Sequence, residues 1–547
     1  MRRSSSEPGN VVDLLRTVAE SEPDVEAYVE FAAPLERRST SFGALDRAAD
    51  AVAALFARAG VSKGEIVALG LPSSVDYAVC YHAALRLGAI TSGINPRLGR
   101  RERSHILARL APRVTVTDTA GPEIAGPEMA GSEMAGPEMA GPDTAGSVTL
   151  RREEVVAAIA DAESYGGARA PRLPTIDPSD PVAVVWTGGS TGVPKGALFD
   201  HRRLHAVAAG SDVLSRPGDR RLSPLPFAHV GYMTRAWDEI SKRIATVITP
   251  TPWSAGDAIR IMEQESVTVG QGVPTQWALV LAHPDLPVAD MSSLRVAGTG
   301  ASRVPPELVR AMRDRLGCPV VVRYTSTETS LGTGTALTDP DDVVATTVGR
   351  PVPGVELEIV AEDGTRVSEG QVGRVRMRSA AQMLGYVGRG AVIDSAPTAA
   401  VIDTDGWVTT GDLGSLGADG NLRLLGRATE MIIRGGYNIY PSEVEAVVGE
   451  HPSVSQVAVV GAPDPVLGEV IVAFVVRRPG SPAPTLESLR SLVRDSLADY
   501  KAPDRIEITQ QLPTTAMGKV DSRALAELAK TAATDRESEM TVPGRNR

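Results

Sequence analysis

Short apolar runs alternate with stretches of helical spacing through the first part of the chain. Residues 64–72 (GEIVALGLP) and 89–96 (AITSGINP) have the character of strands, and residues 75–88 between them (VDYAVCYHAALRLG) have the spacing of a helix. A helix between two apolar strands indicates a βαβ unit, whose strands are parallel. The alternation returns between residues 267 and 335. The pattern therefore predicts an α/β fold with a large N-terminal domain of parallel and mixed sheets covered by helices.

The pattern changes twice in the second part of the chain. Residues 343–426 alternate polar and apolar positions between Asp-Gly and Glu-Gly turns, which predicts a small β unit with a tight turn around Asp412. After residue 427 the pattern mixes helices and strands. We therefore predict an N-terminal domain over residues 1–427 and a small α+β domain over residues 428–547.

A repeat interrupts the N-terminal domain. Residues 120–147 contain the five-residue units AGPEI, AGPEM, AGSEM, AGPEM and AGPDT. Proline and glycine at this density do not sustain a helix or strand, and the acidic residues favour solvation. We predict a flexible surface insertion; a segment that binds a partner is the alternative.

Composition narrows the possible functions. The chain has 547 residues, enough for two or more domains, and its formal net charge of −11 argues against a general nucleic-acid binder. Two cysteines leave no readable disulfide framework or cysteine zinc site. The sequence has no run of about 18 apolar residues, so we predict no transmembrane segment. The opening residues lack the apolar core of an export signal, and we expect a cytoplasmic protein.

One glycine-rich loop has the composition of a phosphate-binding site. Residues 184–200 (VVWTGGSTGVPKGALFD) run from an apolar strand into a loop with hydroxyl and ammonium donors; these donors are Thr187, Ser190, Thr191 and Lys195. Glycine lets backbone N–H groups turn toward an anion. The spacing differs from the Walker sequence GxxxxGK[ST]. The loop therefore predicts an anion cradle, and a merely flexible loop is the alternative.

Five segments, in this order, resemble the AMP-forming adenylating enzymes, which include acyl-CoA synthetases, peptide-synthetase adenylation domains and firefly luciferase. They are WTGGSTGVPKG (186–196), YTSTET (324–329), TGDLG (410–414), GRATEMIIRGGYNIYPSEVE (426–445) and PTTAMGKV (513–520). The resemblance extends over roughly residues 30–530. It implies that the chain is an enzyme with a small, mobile C-terminal domain.

The resemblance also implies roles for individual residues in binding ATP and Mg²⁺. Those that contact the nucleotide are expected to be Thr187, Ser190, Thr191 and Lys195 at the β- and γ-phosphates, Gly300, Ala301, Ser302 and Tyr324 at the adenine, Thr327 at a phosphate, and Asp412 and Arg427 at the ribose. Glu328 is expected to hold Mg²⁺, which prefers oxygen ligands. Lys519 is expected to bridge the acid and the α-phosphate during catalysis.

Two half-reactions are implied. An acid and ATP first give acyl-AMP and pyrophosphate; the small domain then rotates about residues 427–430 and presents Gly435, Gly436 and Tyr437 to the thiol of coenzyme A. Thr325 and Thr429 depart from residues common in the family, and the second departure bears on domain switching. No carrier-protein domain follows in this sequence, which favours free CoA, with a separate carrier protein as the alternative acceptor.

The candidate wall residues of the expected acid pocket are mostly small or apolar, which favours a bulky hydrophobic acid. They are His229, Val230, Gly231, Val273, Pro274, Thr299, Ser330, Leu331 and Gly332. The segment PLPFAHVGYMT has no acidic residue to pair with an α-ammonium group, so we expect a hydrophobic acid, either fatty or aryl. A non-catalytic adenylate binder and a luciferase-like oxygenase are alternatives from other functional classes.

Overall fold

The computed structural model describes residues 9–32, 35–118, 147–164, 173–187, 194–211, 213–301, 304–515 and 519–540. The predicted repeat insertion falls on residues 120–147 and, apart from Ser147, lies outside these ranges. The chain forms two compact units. Unit 1 comprises Met1–Leu357 and Arg376–Thr410, and unit 2 comprises Glu358–Val375 and Gly411–Arg547. The predicted domain boundaries stay a prediction.

The strands alternate with helices in unit 1 and cluster more densely after residue 350. The strands are β1 (Glu26–Ala32), β2 (Glu36–Ser41), β3 (Ile66–Gly70), β4 (Ile90–Gly93), β5 (Val114–Thr117), β6 (Val148–Arg151), β7 (Pro181–Thr187), β8 (Lys195–Asp200), β9 (Arg220–Ser223), β10 (Ala245–Ile248), β11 (Val269–Gly272), β12 (Val296–Gly300), β13 (Val320–Tyr324), β14 (Thr333–Gly334), β15 (Arg350–Pro351), β16 (Val355–Val360), β17 (Gly373–Ser379), β18 (Gly385–Tyr386), β19 (Val408–Leu416), β20 (Leu422–Arg427), β21 (Ile432–Arg434), β22 (Tyr437–Ile439), β23 (Val454–Asp464), β24 (Gly468–Arg477) and β25 (Arg505–Thr509).

The helices are α1 (Val11–Ser21), α2 (Phe42–Arg58), α3 (Val75–Arg86), α4 (Arg100–Leu110), α5 (Arg152–Ser164), α6 (His201–Gly210), α7 (Val230–Met233), α8 (Ala236–Ser241), α9 (Ala255–Gln264), α10 (Pro274–Ala282), α11 (Pro306–Leu316), α12 (Asp341–Thr346), α13 (Ser395–Ala399), α14 (Pro441–Gly449), α15 (Leu486–Ser496) and α16 (Ser522–Met540). Short 3-10 turns occur at Leu286–Val288, Ala428–Glu430 and Asp499–Lys501.

The βαβ prediction near residue 80 is confirmed. Strands β3 and β4 are parallel, with Ile66 opposite Ile90, and α3 connects them. Ser74 caps α3 by accepting a hydrogen bond from the N–H of Tyr77. Most of α3 is buried, which agrees with its nearly continuous apolar sequence.

Two mixed sheets form the framework of unit 1. A nine-stranded sheet has the order β15–β14–β13–β12–β11–β9–β10–β1–β2, and its strands from β13 to β1 are parallel. A seven-stranded sheet has the order β18–β8–β7–β4–β3–β5–β6, with β8 and β18 antiparallel to their neighbours. The predicted α/β class with parallel and mixed sheets is therefore confirmed.

Unit 2 has its own core. Strands β21 to β25 form a sheet of order β22–β21–β24–β23, with β25 beside β24. Helices α14 and α15 bury Val444, Val448, Leu489 and Val493 in the same apolar cluster as Ile471 of β24. This arrangement is the mixed α+β pattern predicted after residue 427.

Candidate functional site

The carboxyl ends of three parallel strands bring several predicted residues together in unit 1. Gly272 at the end of β11 lies opposite Thr299 of β12, and Gly300 lies opposite Arg323 of β13. Val273 directly follows β11, and Tyr324 is the last residue of β13. Ligands of α/β sheets bind at such strand ends.

Two glycines allow the backbones at this edge to approach closely. A Cβ atom built on Gly300 would lie 2.2 Å from the carbonyl oxygen of Arg323, and one on Gly332 would lie 2.2 Å from that of Tyr324. A real Cβ is never so close to a carbonyl oxygen, so a larger residue would push the backbone apart. The two glycines therefore help to set the position of the Tyr324 backbone.

The same region contains strained backbone and unsatisfied hydroxyl groups. Ala301 and Ser330 have φ angles of 65° and 54°, a left-handed conformation that is costly for residues other than glycine. The buried hydroxyls of Thr299 and Ser330 find no hydrogen-bond partner among the described residues. A polar group of a ligand would satisfy such atoms. Ser302 lies outside the described residues.

The ends of the glycine-rich loop are held opposite each other. Thr187 ends β7 and pairs with Lys195, the first residue of β8. Ser190 and Thr191 lie outside the described residues. Thr187 and Lys195 thus stand at the mouth of the loop predicted to hold phosphates.

Glu328 is positioned by a segment that lies far from it in sequence. The hydroxyl of Tyr386 donates a hydrogen bond to Oε1 of Glu328 at 2.6 Å, and the N–H of Met383 donates to its carbonyl oxygen at 2.8 Å. Nearby, Thr327 lies in a turn in which the Ser326 N–H donates to Oγ1 of Thr329 at 3.2 Å.

The surroundings of Glu328 suit a magnesium ion that would be bound partly by this carboxylate and partly by the phosphates of a nucleotide. No group of three or more acidic, cysteine or histidine side chains that could hold a metal occurs in the part of the chain that the structure describes. Mg²⁺ is usually held by one or two carboxylates together with phosphate oxygens and water. A single carboxylate, acting together with the loop that is predicted to bind phosphate, matches that arrangement.

His229 is the N-cap of the short helix α7, which buries the aromatic residue Tyr232. Nδ1 of His229 accepts a hydrogen bond from the N–H of Gly231 at 3.3 Å, and Val230 is buried. The ring of Tyr232, on α7 itself, stacks on that of Phe227 with centroids 3.7 Å apart. The placement of His229, Val230 and Gly231 in an acid pocket stays a prediction.

A second group of predicted residues lies together in unit 2. Nε of Arg427 lies 3.2 Å from Oδ1 of Asp412. Partial burial lowers the pKa of Lys519; the positive charge of Arg427 lowers it further, and the negative charge of Asp412 raises it. Asp412 lies within β19, so the predicted tight turn at this residue is wrong. Gly411 has a φ of 80°, and the register shifts after Leu413, so the turn signal marks an irregular strand.

The predicted thiol-binding residues form a hairpin turn in unit 2. Gly435 and Gly436 have φ angles of 57° and 85° and connect β21 to β22, as a two-residue turn of this type requires. The ring of Tyr437 stacks on that of Tyr500 with centroids 4.3 Å apart. The side chain of Tyr437 is otherwise well exposed, with 54% of its surface accessible.

Sequence reasoning missed Tyr386. It lies within the segment predicted as a β unit, yet β18 pairs with β8 of the seven-stranded sheet. The available signal is local: a lone aromatic residue follows a glycine in the segment MLGYVG. That signal does not reveal the partner, because Glu328 is 58 residues away.

Comparison with known proteins identifies the family. The chain matches the family described as AMP-binding enzyme over residues 15–387 and the AMP-binding enzyme C-terminal domain over residues 443–519. The chain therefore belongs to the AMP-binding, adenylate-forming enzymes, and the predicted family resemblance is confirmed.

Two curated relatives and one solved structure illustrate the similarity. The chain is 34% identical to an indoleacetate–CoA ligase of Aromatoleum aromaticum, over 88% of this chain and 92% of the relative. It is 34% identical to a Mycobacterium tuberculosis CoA ligase named for a 7a-methyl-1,5-dioxo-octahydro-1H-inden-4-yl propanoyl group, over 90% and 94%. The solved structure of the anthranilate CoA ligase AuaEII with anthranoyl-AMP has a TM-score of 0.83 at 24% identity, over 97% of this chain and 99% of that one, which shows a shared fold. None of the described helices is both long and apolar enough to cross a membrane.

Proposed function

We propose that the protein is an ATP-dependent ligase that joins a hydrophobic carboxylic acid to coenzyme A. The proposal rests on one observation: the chain belongs to this family and has all four of the charged residues that the reaction needs, Lys195, Glu328, Asp412 and Lys519. A binding protein without catalysis would not need all four charges. The two relatives named as CoA ligases support the same reaction.

In the first half-reaction, an oxygen of the acid carboxylate attacks the α-phosphorus of ATP. A new C–O–P bond forms, the bond to the β-phosphate oxygen breaks, and pyrophosphate leaves. The two reacting groups are both anions, so positive charge must offset their repulsion. Lys195 and the glycine-rich loop bind the leaving phosphates, and Lys519 holds the carboxylate against the α-phosphate. Bound Mg²⁺ supplies further positive charge, and Glu328 is the residue that would hold it.

In the second half-reaction, the sulfur of the thiol attacks the acyl carbonyl carbon. The thioester forms, the bond between acyl carbon and AMP oxygen breaks, and the thiol proton passes to solvent. Gly435 and Gly436 leave space beside the backbone for a narrow pantetheine arm, and Tyr437 offers a flat apolar surface to it.

The acid is expected to be fatty or aryl. Val230, Val273 and Leu331 are buried and apolar, which suits a hydrophobic acid. Both relatives at 34% identity are named for acids that contain rings. Ring-bearing acids therefore belong first in any substrate panel.

The test is a panel of aryl, polycyclic and fatty acids assayed with ATP in two ways. Acid-dependent exchange of labelled pyrophosphate into ATP measures the first half-reaction, and mass spectrometry after addition of CoA measures the second. We expect exchange with at least one hydrophobic acid and its acyl-CoA as product. Exchange without acyl-CoA, together with acylation of an added phosphopantetheinylated carrier protein, would instead support the carrier-protein alternative. No exchange with any acid would contradict the proposal.

A further inference from the structure

Backbone hydrogen bonds fix the position of Tyr386 independently of the contacts of its side chain. It lies opposite Ala197 in the antiparallel pair β18–β8. Its N–H donates to Oγ1 of Thr398 at 3.0 Å, and its carbonyl oxygen accepts from the N–H of Asp394 at 2.8 Å. The next residue, Val387, donates to the carbonyl oxygen of Gly196 at 2.8 Å. The phenol ring is therefore fixed relative to β8, the strand that begins with Lys195.

The side chain of Tyr386 contacts two residues of opposite charge. Its hydroxyl donates to Oε1 of Glu328 at 2.6 Å, and Nζ of Lys195 lies 5.3 Å from the centroid of its ring. Within the described ranges Lys195 forms no salt bridge within 4.0 Å. Only 4% of the Tyr386 surface is accessible, so the residue that makes both contacts is buried.

Each contact gives a charged group a neutral partner. The phenol hydroxyl is a donor to a carboxylate, and the ring face attracts an ammonium group. A direct ion pair between Lys195 and Glu328 would neutralise both charges before any nucleotide arrived. Each of them instead contacts the phenol, Glu328 through Oε1 alone, and no described residue forms a hydrogen bond or salt bridge with Oε2.

We propose that Tyr386 is a positioning residue that keeps Glu328 available to Mg²⁺ and Lys195 available to phosphate. The inference rests on the proposed function, since it assigns these two residues to the metal and the nucleotide. Tyr386 acts through Glu328 and Lys195 and does not itself touch the reacting atoms.

The test uses Tyr386→Phe, which removes the hydroxyl and retains the ring. Calorimetry measures binding of a non-hydrolysable ATP analogue with and without Mg²⁺. We expect the metal-dependent gain in affinity to fall about tenfold, equivalent to about 1.4 kcal/mol, with metal-free binding unchanged. The Mg²⁺ concentration for half-maximal pyrophosphate exchange should rise by a similar factor. In a Glu328→Gln background, Tyr386→Phe should cause little further change, because the bond to the carboxylate is already altered.

A matched control removes another buried tyrosine hydroxyl. Tyr81 donates to the carbonyl oxygen of Met233 at 2.8 Å, so Tyr81→Phe should lower the melting temperature without changing the response to Mg²⁺. If Tyr386→Phe behaves like Tyr81→Phe, Tyr386 is only structural and the inference is wrong. Tyr386→Leu should also weaken metal-free nucleotide binding, since it removes the ring beneath Lys195.

The outcomes separate this inference from the proposed function. If the wild-type protein exchanges no pyrophosphate with any acid, but Tyr386→Phe still lowers the metal-dependent gain in affinity tenfold, the role of Tyr386 stands and the proposed ligase function is contradicted. Acid-dependent exchange with an unchanged Mg²⁺ response in Tyr386→Phe keeps the ligase and overturns the role of Tyr386.

Discussion

Asp412 and Arg427 face each other directly across the antiparallel strands β19 and β20, with Nε and Oδ1 3.2 Å apart. Lys519 lies close enough for both charges to change its pKa. The three residues come from three separate sequence segments. In unit 2, therefore, the residue predicted to contact the ribose lies close to the lysine predicted to act in catalysis.

Asp412→Asn tests the ribose contact. The variant keeps the size of the side chain and removes its charge, so we expect the KM for ATP in pyrophosphate exchange to rise about tenfold through weaker hydrogen bonds to the ribose. Arg427 is half-exposed, and such ion pairs contribute roughly 0–1 kcal/mol, so the melting temperature should change little. A large loss of stability with an unchanged KM would contradict the assigned role.

Lys519→Ala tests the division of labour between the half-reactions. Loss of one preorganised charged contact typically costs about 10²–10³ in rate, and we expect that loss in acyl-AMP formation. Thioester formation from supplied acyl-AMP and CoA should be spared. Lys530→Ala, which removes an exposed lysine paired with Glu527, is the control and should affect neither step. Equal loss of both steps in Lys519→Ala would refute the role.

The pKa of Lys519 gives a second test. Because partial burial and Arg427 lower this pKa, Lys519 loses its proton at lower pH than an ordinary lysine. The charged form is the active one, so adenylation should decline as pH rises through the lowered value. Asp412→Asn removes the charge that opposes this shift and should move the decline to still lower pH. Lys519→Arg should abolish the decline, since arginine stays protonated.

The sequence predicted the parts of the fold and site that depend on local patterns. The βαβ unit around α3 follows from apolar spacing, and the mixed helices and strands after residue 427 follow from the change of pattern there. The glycines around Asp412 predict a turn, but they lie in an irregular strand. Tyr386 was missed because its contact with Glu328 depends on which strand β18 joins. Pairing between distant segments is decided by the packed core and leaves little local signal.

The raised pKa of Glu239 predicts how the free energy of unfolding depends on pH. It is buried on α8 with Oε1 3.7 Å from Nη1 of Arg221, and burial raises its pKa from 4.5 to about 7. Between these values the folded protein holds a proton that the unfolded chain releases, so stability decreases as pH rises. This difference in pKa corresponds to a loss of about 3 kcal/mol in the free energy of unfolding as the pH rises past both values.

Glu239→Gln should remove that contribution. Urea unfolding at pH 5, 6, 7 and 8 should show a difference in free energy of unfolding between the variant and wild type that grows in favour of the variant toward pH 8. Leu279→Gln, at an exposed position without a titratable group, is the control and should give a difference that stays constant with pH. A constant difference for Glu239→Gln as well would show that Glu239 is ionised throughout this range.

Trp277 lies beside the predicted acid pocket. It is on α10, one turn after Val273, and its indole N–H donates to the carbonyl oxygen of Gly298 at 3.1 Å. The ring packs on β11: a Cβ atom built on Gly270 would lie 2.9 Å from it. Trp277 and Gly272 border a small cavity of about 10 Å³ that is also lined by Trp253 and Met262.

Trp277→Leu should enlarge the space available to the acid. If Trp277 forms the back of the pocket, the ratio of kcat/KM for a longer or bulkier acid to that for the best wild-type acid should rise at least tenfold, because each methylene in a hydrophobic pocket is worth about 10- to 200-fold. The variant should also be less stable, by a few kcal/mol, since it leaves a void in the core.

Trp407→Phe is the control. Trp407 is also buried, but it packs between Arg376 and Arg378, so its loss should cost stability without changing acid preference. An unchanged ratio in Trp277→Leu, with the same loss of stability as the control, would place the acid pocket away from α10.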